Sequence, residues 1–182
     1  MSGILDVPVK TADGRETTLA EYSGKVLLVV NVASRCGLTT QYDALESLFE
    51  EKRGQGLVVV AFPANNFKNQ EPGTDEEIVA FCTTNYNITF PIYSKISVKG
   101  EDQHPLYQKL TASNVETTGE GPMRERLSSH SIDTGAKGDV LWNFEKFLVG
   151  RDGHVVARFA PDVVPDDPRL VLAIDREIAK AG

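Results

Sequence analysis

An almost continuous apolar run covers Val26–Ala33 and is broken only by Asn31. Such a run, rich in β-branched residues, is typical of a strand that is buried on both faces of a sheet. A second run of this kind covers Leu57–Phe62, and between the two the apolar residues of Tyr42–Phe49 recur at spacings of three and four, which predicts an amphipathic helix. Strand, helix and strand in this order predict a βαβ unit with parallel strands and a right-handed crossover.

Shorter elements surround this unit. The turn residues Ala12-Asp13-Gly14 predict a small opening hairpin, and Thr74 with Glu77 three residues later predicts a helix that begins with a capping box. The remaining predicted elements are a helix over Pro105–Leu110, a strand over Val140–Val149, a hairpin through Arg151-Asp152-Gly153 into Val155–Phe159, and a closing helix from about Asp167 to Lys180. This order predicts the α/β class: a thioredoxin-like fold with a mixed central sheet flanked by helices on both faces, in one domain over residues 1–182.

One long segment, Ser113 to Asp139, departs from this pattern. It is rich in glycine, serine, threonine and charged residues, and Met123 and Leu127 are almost its only large apolar side chains. We therefore expect a long surface excursion with one turn of helix near Met123–Leu127. The sequence leaves open whether this excursion is disordered or serves an interface.

The charge and composition of the chain exclude several classes of function. A net charge of -7 disfavours binding to nucleic acids and to anionic membranes. The chain has no apolar run of membrane-spanning length and no basic, then apolar N-terminus of the secretory type, which predicts a cytoplasmic protein. The three histidines are scattered and none pairs with a cysteine at metal-ligand spacing, so we expect neither a metal nor another cofactor.

The chain has two cysteines, and Cys36 follows the first buried strand directly. There a strand gives way to a helix that is predicted to begin near Thr39 or Thr40, and Gly37 keeps the turn tight. Free amides and the positive end of the helix dipole would stabilise a thiolate at this place. A single cysteine beside a core-like run is also commonly a buried and unreactive residue, so position alone leaves both interpretations open.

Three motifs resemble those of the glutathione peroxidase family and occur in the family's order. They are Asn31-Val32-Ala33-Ser34-Arg35-Cys36-Gly37-Leu38-Thr39, then Phe62-Pro63-Ala64-Asn65-Asn66-Phe67 continued by Gln70-Glu71-Pro72-Gly73, and finally Trp142-Asn143-Phe144-Glu145-Lys146-Phe147-Leu148. The resemblance implies a thiol peroxidase that reduces hydrogen peroxide and organic hydroperoxides. It also implies that Cys36 is the peroxidatic residue.

The same resemblance implies that Gln70, Trp142 and Asn143 complete a catalytic tetrad with Cys36. All three are neutral N–H donors, which suit a thiolate and the charge that develops on the leaving oxygen, because they form no permanent ion pair with the sulfur. Each residue also has a structural interpretation. Trp142 could belong to the core, Gln70 could be a solvated loop residue, and Asn143 could be an amide at a sheet edge.

The second cysteine, Cys82, shares a helix face with Ile78 and Phe81, which is consistent with a small buried apolar residue. The resemblance implies instead a resolving cysteine that closes an intramolecular disulfide with Cys36 and is recycled by thioredoxin. Because positions on separate elements rarely lie within disulfide reach as packed, the helix would have to unwind locally.

Two positions depart from the family pattern: Ala64 stands where many members have cysteine, and Asn66 where many have glutamine. We expect the shorter amide of Asn66 to loosen the second-motif loop. Beyond Arg35, no cationic cluster near Cys36 is evident for the carboxylates of glutathione. Two alternatives remain open: a peroxidase that uses glutathione as its reductant, and a redox sensor or relay that passes its disulfide to a partner protein.

Overall fold

The computed structural model describes residues 3–180, which contain seven strands, five α-helices and three short 3-10 helices. The strands are β1 (Val9–Lys10), β2 (Glu16–Thr17), β3 (Val26–Val32), β4 (Leu57–Pro63), β5 (Thr117–Thr118), β6 (Lys146–Val149) and β7 (Val155–Phe159). The α-helices are α1 (Gln41–Lys52), α2 (Asp75–Tyr86), α3 (Pro105–Thr111), α4 (Glu120–Ser129) and α5 (Pro168–Ala179). Apart from α4, each predicted helix and hairpin is present with bounds close to those expected.

A five-stranded mixed sheet with the order β4-β3-β6-β7-β5 forms the centre of the molecule. β3 pairs with β4 in parallel and with β6 in antiparallel orientation, and β5 pairs with β7 in parallel. All seven residues of β3 are buried, so both faces of this strand are covered. The predicted βαβ unit and the mixed central sheet are therefore confirmed, and β1 and β2 form the predicted small hairpin apart from this sheet.

The predicted strand over Val140–Val149 is too long, because only Lys146–Val149 is extended. Phe144 has a φ of 69°, a left-handed conformation that ends an extended run. Its backbone N–H donates to the carbonyl oxygen of Asn31 at 2.6 Å, so the third motif bends over the end of β3. This bend brings Trp142 and Asn143 to the end of β3 that leads to Cys36.

The segment from Ser113 to Asp139 is more than a surface excursion with one turn of helix. Its first part supplies β5 to the central sheet, and α4 is ten residues long, with Met123 and Leu127 buried. Gly119 enters α4 with a φ of 84°, and an added Cβ there would lie 2.9 Å from Val163 Cγ2. Glycine is thus required where the chain turns into α4, and this turn places the helix against the body of the protein.

The caps at the helix ends agree with the sequence. The Thr74 hydroxyl accepts from Glu77 N at 3.2 Å, and the Glu77 carboxylate accepts from Thr74 N at 2.9 Å, which is the predicted capping box of α2. Asn87 ends α2 in the left-handed conformation. None of the helices within residues 3–180 is both long and apolar enough to cross a membrane.

Candidate active site

Cys36 lies in the turn between β3 and α1, with its side chain half-buried. The Thr39 hydroxyl donates to Ala33 O at 2.8 Å and accepts from Cys36 N at 3.0 Å, which fixes the backbone of the turn. The backbone N–H of Leu38 points at the cysteine, with 3.3 Å between its nitrogen and Sγ. α1 begins only at Gln41. The N–H group that faces the sulfur therefore belongs to the preceding turn and not to the helix.

Cys36, Gln70 and Trp142 line one cleft of about 320 Å³. Trp142 is only 8% exposed, and its ring packs on Phe67 with 5.3 Å between the ring centroids. The structure therefore brings together one residue from each of the three motifs, although these residues are far apart in the sequence. Trp142 is both a core residue and a wall of the cleft, so the two interpretations given above are compatible.

Asn143 is fully buried behind this cleft, which rules out the interpretation as a sheet-edge amide. Its Nδ2 donates to Gln70 Oε1 at 2.9 Å. Gln70 is half-buried and is also held through its backbone, since its carbonyl oxygen accepts from Arg35 N at 3.0 Å. Gln70 is thus a fixed group beside Cys36 and not a freely solvated loop residue.

Asn31 is a positioning residue that the sequence analysis missed. It lies in β3 with no exposed surface, and its Nδ2 donates to the backbone oxygen of Trp142 at 3.1 Å. The signal was present in the sequence, because Asn31 is the only polar residue in an otherwise apolar run and a buried amide requires a partner. Its bonds hold the third motif at the end of β3.

The expected loosening of the second-motif loop at Asn66 is wrong. The Asn66 amide donates to Ser97 Oγ at 2.9 Å and to Lys99 O at 3.2 Å, and its Oδ1 accepts from Val98 N at 2.9 Å. The shorter side chain therefore anchors the loop to residues 97–99. Ala64, at the other departure, is 1% exposed and fills a core position.

Cys82 is completely buried in α2, and Cys36 and Cys82 are both free thiols in this structure. Burial raises the pKa of Cys82 to about 11; the Tyr42 hydroxyl opposes this rise, and the negative charge of Glu71 adds to it. Because the thiolate is the attacking form of a cysteine, Cys82 is protected from reaction while α2 stays packed. The predicted local unwinding of α2 would remove this protection.

Glu71, the neighbour of Gln70 in the second motif, is a buried carboxyl group. It is 1% exposed, burial raises its pKa, and contact with Ser34 opposes that rise. Its Oε2 makes no hydrogen bond within residues 3–180. The same described residues contain no group of three or more histidine, cysteine, aspartate or glutamate side chains that could hold a metal ion.

A half-buried cysteine after the first buried strand of a mixed sheet, with an indole and an amide on the walls of its cleft, defines a thiol-dependent oxidoreductase of the thioredoxin-like class. Comparison with solved structures supports the thioredoxin-like fold. A thioredoxin-family thiol:disulfide interchange protein from Chlorobium tepidum TLS is 14% identical, with a TM-score of 0.59 and coverage of 94% of this chain and 92% of the other. At that identity the likeness shows the fold alone, and it confirms the predicted thioredoxin-like fold.

The family follows from closer relatives. The glutathione peroxidase family model matches residues 4–111. The thioredoxin/glutathione peroxidase BtuE of Escherichia coli (strain K12) is 49% identical over 181 residues, which cover 97% of this chain and 98% of the relative. The crystal structure of Trgpx in its apo form is 33% identical, with a TM-score of 0.72 and coverage of 100% and 99%. The chain belongs to the glutathione peroxidase family and is a thiol peroxidase.

Proposed function

We propose that this chain reduces hydrogen peroxide and organic hydroperoxides at Cys36, with Gln70, Trp142 and Asn143 as the remaining members of its catalytic tetrad. The observation that carries the proposal is the shared cleft of Cys36, Gln70 and Trp142, backed by the bond between Asn143 and Gln70. A peroxide has to reach a half-buried sulfur from solvent and to meet N–H donors there. This cleft meets both requirements.

In the first step the Cys36 thiolate attacks one peroxide oxygen. An S–O bond forms, the O–O bond breaks, and the sulfur gives two electrons to the peroxide and becomes a sulfenic acid. The second oxygen leaves as hydroxide or alkoxide and takes up a proton to give water or an alcohol. The Leu38 amide faces the sulfur. Gln70 and Trp142 line the same cleft, and in this proposal the Gln70 amide and the Trp142 indole N–H stabilise the charge on the departing oxygen.

In the second step the thiol of Cys82 resolves the sulfenic acid. Its thiolate attacks the Cys36 sulfur, an S–S bond forms, the S–O bond breaks, and the oxygen leaves as water after taking up a proton. Because Cys82 is buried, the C-terminal part of α2 has to unwind first. Thr83, Thr84 and Asn85 are weak helix formers in that part of α2, which lowers the cost of unwinding.

In the third step we propose that thioredoxin reduces the disulfide by thiol–disulfide exchange. The Escherichia coli relative supports this choice, since its name gives thioredoxin as well as glutathione. We place the reaction in the cytoplasm, where thiol reductants are available. Glutathione is the alternative reductant, and it would have to outrun Cys82 in the attack on the Cys36 sulfenic acid.

Turnover coupled to NADPH oxidation tests the proposal. The full chain is given hydrogen peroxide with either thioredoxin and its reductase or glutathione and its reductase. Faster turnover with thioredoxin supports the proposal. Turnover with glutathione alone would show that glutathione, and not thioredoxin, is the reductant. Oxidation of Cys36 without turnover by either reductant, together with a trapped mixed disulfide to another protein, would favour the sensor or relay.

A further inference from the structure

Glu46 and Thr89 form a latch between α1 and the chain segment that follows α2. Glu46 is only 6% exposed. Its Oε1 accepts from Thr89 N at 2.8 Å, and its Oε2 accepts from the Thr89 hydroxyl at 2.5 Å. A separation of this length between a hydroxyl and a carboxylate oxygen is typical of a charge-assisted hydrogen bond, which is stronger than a neutral one. Both oxygens of a buried carboxylate therefore hold a single residue shortly beyond the end of α2.

A backbone hydrogen bond connects the latch to Cys82. Ile88, the residue before Thr89, donates from its backbone N–H to Cys82 O at 3.4 Å. This bond belongs to the C-terminal turn of α2, which has to open before Cys82 can reach Cys36. While Glu46 holds Thr89, the chain just beyond that turn is kept in place, so the turn cannot fray freely from its end.

An aromatic contact between the same two helices lies one turn of α1 before the latch. Tyr42 is fully buried, and its ring centroid is 5.3 Å from that of Tyr86, the last residue of α2. Because residues four apart share a face of a helix, Tyr42 and Glu46 extend from the same face of α1. Glu46 is the charged member of this face, and a change at Glu46 leaves the ring contact in place.

The other end of α2 has a contact of the same chemistry. Asp75, the first residue of α2, accepts from the Ser94 hydroxyl at 2.6 Å and from Lys95 N at 2.9 Å. As at Glu46, a carboxylate accepts from one hydroxyl and one backbone N–H. Asp75 lies about two turns of helix before Cys82, in the part of α2 that does not have to open. The chain thus contains a matched control for the latch.

We propose that Glu46 is a positioning residue of the resolving step, because its latch to Thr89 sets the fraction of time for which Cys82 is released from α2. This inference rests on the proposed disulfide between Cys36 and Cys82. It adds no chemical step, since Glu46 acts on the opening of the helix and not on the sulfur atoms. The latch protects the Cys82 thiol from solvent and determines how fast the disulfide forms once Cys36 is oxidised.

Labelling of Cys82 by a thiol-blocking reagent measures its release directly. The chain has two cysteines, so Cys36→Ser leaves Cys82 as the only thiol. In this background Glu46→Gln should speed labelling about tenfold, as the loss of a hydrogen bond to a charged group allows. Asp75→Asn should lower the midpoint of urea unfolding as Glu46→Gln does, but it should leave the labelling rate unchanged.

The resolving step should respond in the same way when both cysteines are present. After excess hydrogen peroxide, Glu46→Gln should form the disulfide about tenfold faster than the wild type, as measured by rapid quenching. Thr89→Val should also accelerate this step, because it removes the hydroxyl from which Glu46 Oε2 accepts. The rate of Cys36 oxidation should stay at the wild-type value in both variants, and Asp75→Asn should keep the wild-type disulfide rate.

The outcomes separate this inference from the proposed function. A labelling rate or a disulfide rate that Glu46→Gln leaves unchanged would overturn the inference alone, and so would an equal acceleration by Asp75→Asn. A wild type that consumes peroxide without forming the disulfide would overturn the resolving role of Cys82 and the inference with it.

Discussion

Asn143 Nδ2 donates a hydrogen bond of 2.9 Å to Gln70 Oε1, across 73 positions of sequence. This bond joins the third motif to the second, directly behind the cleft that holds Cys36. Since Oε1 accepts from Asn143, we expect the N–H groups of the Gln70 amide to act on the sulfur and on a bound peroxide. Asn143 is fully buried, so we expect any effect that it has on the reaction to pass through Gln70.

The bond predicts that Gln70 and Asn143 act as one unit. Losing one preorganised donor typically costs about 10²–10³-fold in rate, and we expect somewhat less for Gln70→Ala because other donors remain. Asn143→Ala should cost about as much, and the double variant should cost little more than either single change, because the two residues share one interaction. Rate constants for peroxide reduction in single turnover check this. Additive losses would mean that the two amides act separately.

Trp142→Phe tests the indole donor apart from its packing. Phenylalanine keeps most of the ring contact with Phe67 but removes the only N–H of the side chain. We expect a slower peroxide step with unchanged reduction of the disulfide by thioredoxin. Peroxide consumption measures the first step, because the variant has no tryptophan whose fluorescence could report it. A peroxide step as fast as that of the wild type would reduce Trp142 to a packing role.

Cys82→Ser should separate oxidation from turnover. The variant should consume one equivalent of peroxide, stop with Cys36 as a sulfenic acid, and lose turnover driven by thioredoxin, because no second thiol on the chain can displace the oxygen. A sulfenic-acid probe followed by mass spectrometry detects the trapped form. Undiminished turnover with thioredoxin would show that Cys82 is only the small buried side chain of the alternative interpretation.

The resolving step should depend on pH through Cys82. Burial raises the pKa of this thiol to about 11, so its protonated form stabilises the packed state of α2. That stabilisation is complete below the ordinary thiol pKa and is lost as the pH rises through about 11. We therefore expect disulfide formation to accelerate by about tenfold per unit between roughly pH 6 and pH 8, as the thiolate fraction of the released thiol grows.

Rapid quenching with a thiol-blocking reagent, followed by measurement of the disulfide, gives this rate. The Cys82→Ser variant supplies the matched control, since it reports the pH dependence of Cys36 oxidation alone. A disulfide rate that stays constant over this range would mean that release of Cys82 from α2, and not its ionisation, limits the step.

The sequence predicted the elements that have a strong period and the residues that lie in motifs. The apolar run of β3, the spacing in α1 and the capping box of α2 are local signals, and the structure has all three. The length of the strand in the third motif could not be predicted, because the left-handed Phe144 is held by a bond to Asn31, which is distant in sequence.

The role of α4 at the cleft is a second feature that the sequence did not reveal. Met123 and Leu127 are two apolar residues in a polar segment; their spacing predicts one turn of helix, but not the ten residues of α4. Both residues line the Cys36 cleft, and so does Arg126. This position depends on tertiary contacts, which the sequence does not show. The anchoring of Asn66 likewise depends on a loop some thirty residues away.

In the proposed cycle, peroxide oxidises Cys36, and Cys82 then closes a disulfide with it. The most direct test is peptide mass spectrometry of the reduced full chain after one equivalent of hydrogen peroxide, without reductant, beside a folded Cys36→Ser control. We expect a cross-linked Cys36–Cys82 peptide in the wild type and an unmodified Cys82 in the control. A wild type in which Cys36 stays a free thiol while peroxide is consumed would contradict the account, and an oxidised Cys36 with a free Cys82 would contradict its second half.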